Sequence, residues 1–126
     1  MRHLSSRHIL RDVRGTTAVE MAFLAPVFFM IIIGVVNIAL LMFTVGSMHF
    51  AVESAARCAS VNSGTCSSAS SITSYAKSKY YGALIAPAFS SATAACGQSV
   101  TATATYVLNS GVAKYSIPLS ATACYP

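Results

Sequence analysis

Hydrophobic positions change their spacing several times along the chain, and each change predicts an element. Residues 1–14 have no apolar period and read as an unstructured basic leader. From Met21 to Met48 every residue is uncharged, and apolar side chains run almost unbroken to Phe43. A bilayer core of about 30 Å takes roughly 20 helical residues, so this run is long enough to cross it with some tilt. Past Phe43 the pattern turns amphipathic: Val45, Met48, Val52, Ala55 and Ala59 recur at spacings of three and four, while His49, Glu53, Arg57 and Ser60 line another face. The spacing predicts one helix over residues 16–61, ~69 Å long, that leaves the lipid without ending. Pro26 predicts a kink of the kind membrane helices tolerate. Gly34 and Asn37 either mark a face packed against neighbouring helices or are merely tolerated. Asn62-Ser63-Gly64 predicts the stop, with glycine free to take a left-handed cap.

After a serine-rich connector over residues 67–71, Ser70 or Ser71 is placed to cap a second helix. Ile72, Tyr75, Ala76 and Tyr80 form its apolar face, Lys77 points away, and Gly82 ends it. Residues 83–95 contain Pro87 and no clear period, which reads as loop. Residues 98–108 alternate, with Val100, Ala102, Ala104, Tyr106 and Leu108 against threonines, as a half-buried strand does. Residues 112–123 alternate too, and Asn109-Ser110-Gly111 between the two runs is a hairpin turn. Pro118 suits an edge strand. The fold class is therefore α+β: a long N-terminal transmembrane helix extending out of the membrane, then a small domain with a second helix and a C-terminal antiparallel hairpin. The chain divides into a leader (1–15), the long helix (16–61) and the small domain (62–126).

Composition agrees with a membrane-anchored chain: 55% of residues are hydrophobic, 9% are charged, and the mean hydropathy is +0.63. The net charge of +5 does not imply nucleic acid, because Arg2, Arg7, Arg11 and Arg14 against Asp12 place +3 in the leader. Basic residues just before a span stay in the cytoplasm, so the C-terminal part faces outward, which in a bacterium is the periplasm. A secretory signal peptide also starts with a basic region, but its apolar core is shorter than this one. All four cysteines, Cys58, Cys66, Cys96 and Cys124, fall on the outward side, where disulfides persist. Zinc fits poorly, since no two cysteines lie closer than eight positions and His49 is the only histidine after the leader.

The junction between leader and apolar run carries the most information. A basic stretch, Gly15, four residues and then Glu20 at the mouth of an apolar helix resembles the prepilin processing site of type IV pilins and pseudopilins. Gly15-Thr16-Thr17-Ala18-Val19-Glu20-Met21-Ala22, then Leu24-Ala25-Pro26, then Glu53-Ser54-Ala55-Ala56-Arg57 is similar to the TadE-like proteins, minor pseudopilins of tight-adherence (Flp-type) pilus systems. The resemblance is close over residues 11–62 and looser in the cysteine-bearing tail. Met21 stands where major Flp pilins usually carry an aromatic residue, which implies a minor subunit. The resemblance further implies cleavage by a prepilin peptidase between Gly15 and Thr16, and neutralisation of the new Thr16 amine by Glu20 of a neighbouring subunit. A charge near hydrocarbon is costly unless paired, which gives that pairing a physical sense. Without the resemblance, Glu20 reads as a carboxylate placed in the first turn of a helix by the macrodipole.

The expected partners are the bacterial inner membrane, the peptidase and other pilin or pseudopilin subunits, reached through the N-terminal helix; incorporation in a pilus is compatible with this. An uncleaved single-pass protein whose periplasmic domain binds another partner is the alternative. Glu20 and Glu53 are the only acids after the leader and His49 shares a helix with Glu53, so no catalytic arrangement is expected. No glycine pattern for phosphates and no other cofactor signature occurs. Four cysteines allow three connectivities. Pairing Cys58 with Cys66 closes a short loop past the helix end. Pairing Cys96 with Cys124 needs facing residues whose numbers sum to 220, whereas matched apolar faces, Tyr106 opposite Tyr115, give 221; a bulge at Gly97 reconciles the two.

Overall fold

An uncharged apolar run has no reason to break its backbone hydrogen bonds in lipid, and an amphipathic continuation has none to break them on a domain surface. The computed structural model accordingly shows one helix, α1, from Arg14 to Val61, running through Pro26. The structure describes residues 14–126 apart from Ser63, Ala83 and residues 110–112. The leader before Arg14 and the Ser110-Gly111 centre of the expected hairpin turn lie outside the described residues. Two compact units divide the chain, one ending at Val36 and one formed by Asn37–Pro126. In the first, apolar side chains face outward: Phe23, Phe29 and Met30 are more than half exposed.

The second unit holds the core. Met48, Val52, Ala55 and Ala56 of α1 cluster with Ile72 and Ala76 and with Val100, Ala102 and Ala121. Five of these nine residues are alanine, so the elements approach closely over little apolar volume. Thr44, Ser47 and Ala51 are buried with the stripe that the spacing predicts. Helix α1 ends as Asn62 N donates to Cys58 O at 2.9 Å, and Asn62 Oδ1 then accepts from Thr65 N.

The second helix, α2, spans Ala69–Lys79, and its cap is Ser68 rather than Ser70 or Ser71. Ser68 and Ser71 satisfy each other's backbone N–H in a capping box, which a serine two residues later cannot do with the same partner. It stops at Lys79, with Tyr80 extended as the C-cap, so Gly82 is not the stop. Gly82 instead leaves room for the Tyr80 ring, with which a Cβ at 82 would collide.

Three strands follow: β1 (Ala88–Ala94), β2 (Gly97–Asn109) and β3 (Lys114–Tyr125), in the antiparallel order β1-β2-β3. Strand β1 lies where a loop is expected; Phe89 is its sole large apolar side chain, too little to show a period. Pro118 falls on the edge strand β3, facing Thr105. The hairpin register differs from both expected sums: Tyr106 faces Ile117 and Leu108 faces Tyr115, a sum of 223. This still pairs apolar with apolar, because shifting by two residues preserves the face.

Candidate functional site

The junction residues sit inside regular backbone. Gly15 and Thr16 belong to the first turn of α1, which begins one residue before Gly15. Glu20 is exposed in the second turn, one position before the uncharged run. No acidic residue occupies the first turn. The helix-dipole attraction decays within that turn, so it supplies little reason for a carboxylate at Glu20.

A second cluster joins α1 to the α2–β1 connection. Thr44 Oγ1 donates back to Leu40 O at 2.8 Å, and Ser47 Oγ accepts from Tyr81 N at 2.8 Å. The Tyr81 ring lies 6.4 Å from that of Phe50, while the Tyr80 ring meets Phe89 edge-on. Burial pushes the Tyr80 pKa above its ordinary value, and among the described residues its hydroxyl has no hydrogen-bond partner. Sequence reading passes over Thr44 and Ser47; the available signal is two small hydroxyl residues on the apolar stripe of an amphipathic helix.

Two disulfides close the domain, Cys58–Cys66 and Cys96–Cys124, with Cα separations of 5.8 and 6.1 Å. The first spans the turn after α1. The second ties the two-residue β1–β2 turn, residues 95–96, to the end of β3. No bulge assists it, since the β2–β3 ladder runs unbroken from Gln98 opposite Tyr125 to Asn109 opposite Lys114. Gly97 is required for another reason: its φ is +115° and the Tyr125 and Pro126 backbone occupies the space of a Cβ.

Glu53 and Arg57 are exposed and, with Phe50, Thr122 and Tyr125, border an open cleft of about 570 Å³. His49 is exposed on the same helix. Among the described residues no three His, Cys, Asp or Glu side chains gather as a metal-binding group. The arrangement offers a carboxylate at the mouth of an apolar helix and a disulfide-stapled domain.

Compared with known proteins, the chain matches the family described as TadE-like protein over residues 15–57, a third of its length and most of α1. No match is found among curated proteins or among solved structures. Among the described residues one helix is long and apolar enough to cross a membrane, and none of its most apolar stretch is buried inside the structure.

Proposed function

We propose, from a chain that is TadE-like over residues 15–57 and carries an exposed apolar helix, that this is a membrane protein serving tight-adherence (Flp-type) pilus assembly as a minor pseudopilin. A prepilin peptidase cleaves it after Gly15, and the chain is a substrate of that enzyme rather than a catalyst. The arginines of the leader hold the N-terminus in the cytoplasm and send the domain into the periplasm. Glu20 then receives the Thr16 amine of a neighbouring subunit, and the uncharged helix packs among those of other pilins.

The observation that carries this reading is coincidence at one point: the family match begins at Gly15, and Glu20 stands five residues on, at the edge of the uncharged run and outside the first turn that would explain it by dipole alone. The test is Glu20→Ala in the native organism. The variant should insert and accumulate, yet lose co-isolation with other pilin subunits and reduce piliation at least about tenfold, as expected when a buried-side charge loses its partner. Wild-type co-isolation and piliation with Glu20→Ala would favour the uncleaved, partner-binding protein.

A further inference from the structure

The buried stripe of α1 has an exposed counterpart. Phe43, Gly46, Phe50, Glu53 and Arg57 are all exposed, at spacings of three, four, three and four, which makes them one seam along the part of α1 that belongs to the domain. Phe50 stands out from this seam, 51% exposed. At Gly46 the space that a Cβ would take is open, with nothing beyond its own helix within 4 Å. Glu53 is the only acid after Glu20 in the sequence. Among the described residues neither Glu53 nor Arg57 has an ion-pair partner, so both charges are left to solvent or to another chain.

Orientation limits what can cover this seam. Two copies of the chain anchored in one membrane by the same helix run parallel. In register, Glu53 meets Glu53 and Arg57 meets Arg57, and like charges brought together repel. Sliding one copy along the other by four residues, about 6 Å, replaces both clashes with an attraction. Glu53 of one copy then faces Arg57 of the next, and in the same sense His49 faces Glu53 and the open site at Gly46 faces the Phe50 ring. An exposed ring set against a gap is how parallel helices interlock. A slide of three or of seven residues, the other steps of the seam, pairs neither charge with its opposite. Counted along the sequence, four is also the offset, in the same sense, by which Glu20 receives the Thr16 amine of a neighbour.

We propose that the exposed seam over residues 43–57 binds a second copy of this chain, laid parallel and displaced by four residues, with Glu53 of one copy paired to Arg57 of the next. Each copy offers Glu53 to one neighbour and Arg57 to the other, so the contact does not close on itself and extends as a staggered row. The proposal rests on the membrane reading, because a shared membrane is what makes the copies parallel. All four native cysteines are held in disulfides, so introduced thiols report proximity. Two differently tagged forms of the full chain, one with Gly46→Cys and one with Phe50→Cys, are co-expressed in native membranes and mildly oxidised, with the native disulfides checked by peptide mapping. The two forms should cross-link to each other at least about tenfold more than either does to itself, since a disulfide needs Cα atoms within about 7 Å. Adding Glu53→Arg to both forms should remove that excess. Adding Glu53→Arg together with Arg57→Glu restores opposite charges at the same offset and should bring it back. Self-cross-linking of either form that equals or exceeds the mixed product overturns the offset, and a mixed product indifferent to Glu53→Arg overturns the charge pairing. Absence of cross-linking in every combination overturns the self-contact and leaves the seam to a different subunit. Alkaline extraction of wild-type membranes separates the two levels: a chain that stays with the membrane without cross-linking loses this proposal alone, and a chain that is released loses the membrane reading as well.

Discussion

The unit ending at Val36 and the unit Asn37–Pro126 solve opposite problems. Among its described residues the first exposes large apolar side chains and buries none, so its stability comes from helical hydrogen bonds and from the solvent it meets. The second must exclude water, and does so with mostly alanine, two disulfides and a few large residues such as Met48 and Val52. A domain this size buries too little to be secure without such staples. The difference teaches that the apolar stretch up to Val36 has little part in the domain's packing, whereas the family match runs on through Met48, Val52, Ala55 and Ala56 of the core, so damage to the domain should leave membrane insertion of the stretch working.

Removing both bridges together should have the largest effect. Loop-entropy arithmetic gives ~3.6 kcal/mol for Cys96–Cys124, which closes 28 residues, and ~2.5 kcal/mol for Cys58–Cys66, which closes 8. Cys96→Ser with Cys124→Ser should therefore sensitise the domain to protease more than Cys58→Ser with Cys66→Ser. Membrane insertion of α1 should survive both. Equal sensitivity, or loss of insertion, would break the independence of the two units.

Met48→Ala and Phe29→Ala sharpen the same contrast with a single side chain each. Met48 is 1% exposed in the core and should cost about 2–5 kcal/mol in denaturant unfolding of the domain. Phe29 is 60% exposed and should leave that transition where it is.

Legibility in the sequence followed the same division. The long helix was readable because twenty-odd uncharged residues followed by a three-four stripe leave few alternatives, and its end at Val61 needed only Asn62. The domain was readable in class and strand pattern but not in detail. Strand β1 has one large apolar residue, Phe89, and its pairing is set by β2 rather than by its own pattern. The cap moved to Ser68 because five consecutive Ser and Ala residues offer near-equivalent choices that only the Ser68–Ser71 exchange decides. Register slipped from a sum of 221 to 223 because alternating small residues match equally well two positions along. Gly97 was legible as special, but as a turn in close contact with the C-terminal backbone rather than as a bulge. At the candidate site, Gly15, Thr16 and Glu20 were legible as a linear motif, whereas the Ser47 to Tyr81 hydrogen bond joins residues 34 positions apart.

The smallest expected effect has the opposite sign. Among the described residues nothing pairs with the buried Tyr80 hydroxyl, so Tyr80→Phe should stabilise the domain by about 1 kcal/mol. Burial raises the tyrosine pKa above 10.0, so the folded state holds the proton more tightly than the unfolded state. Its contribution is fully present below pH 10 and is lost as pH rises through the folded value. Alkaline unfolding should accordingly weaken in Tyr80→Phe, measured against the wild-type chain over the same range.

The assignment of the TadE-like segment to pilus assembly depends most directly on the N-terminus of the mature chain. Mass spectrometry of protein from native membranes, with the prepilin peptidase present, should find a chain beginning at Thr16, and Gly15→Leu should retain the leader. A wild-type chain that still begins at Met1 would contradict the account.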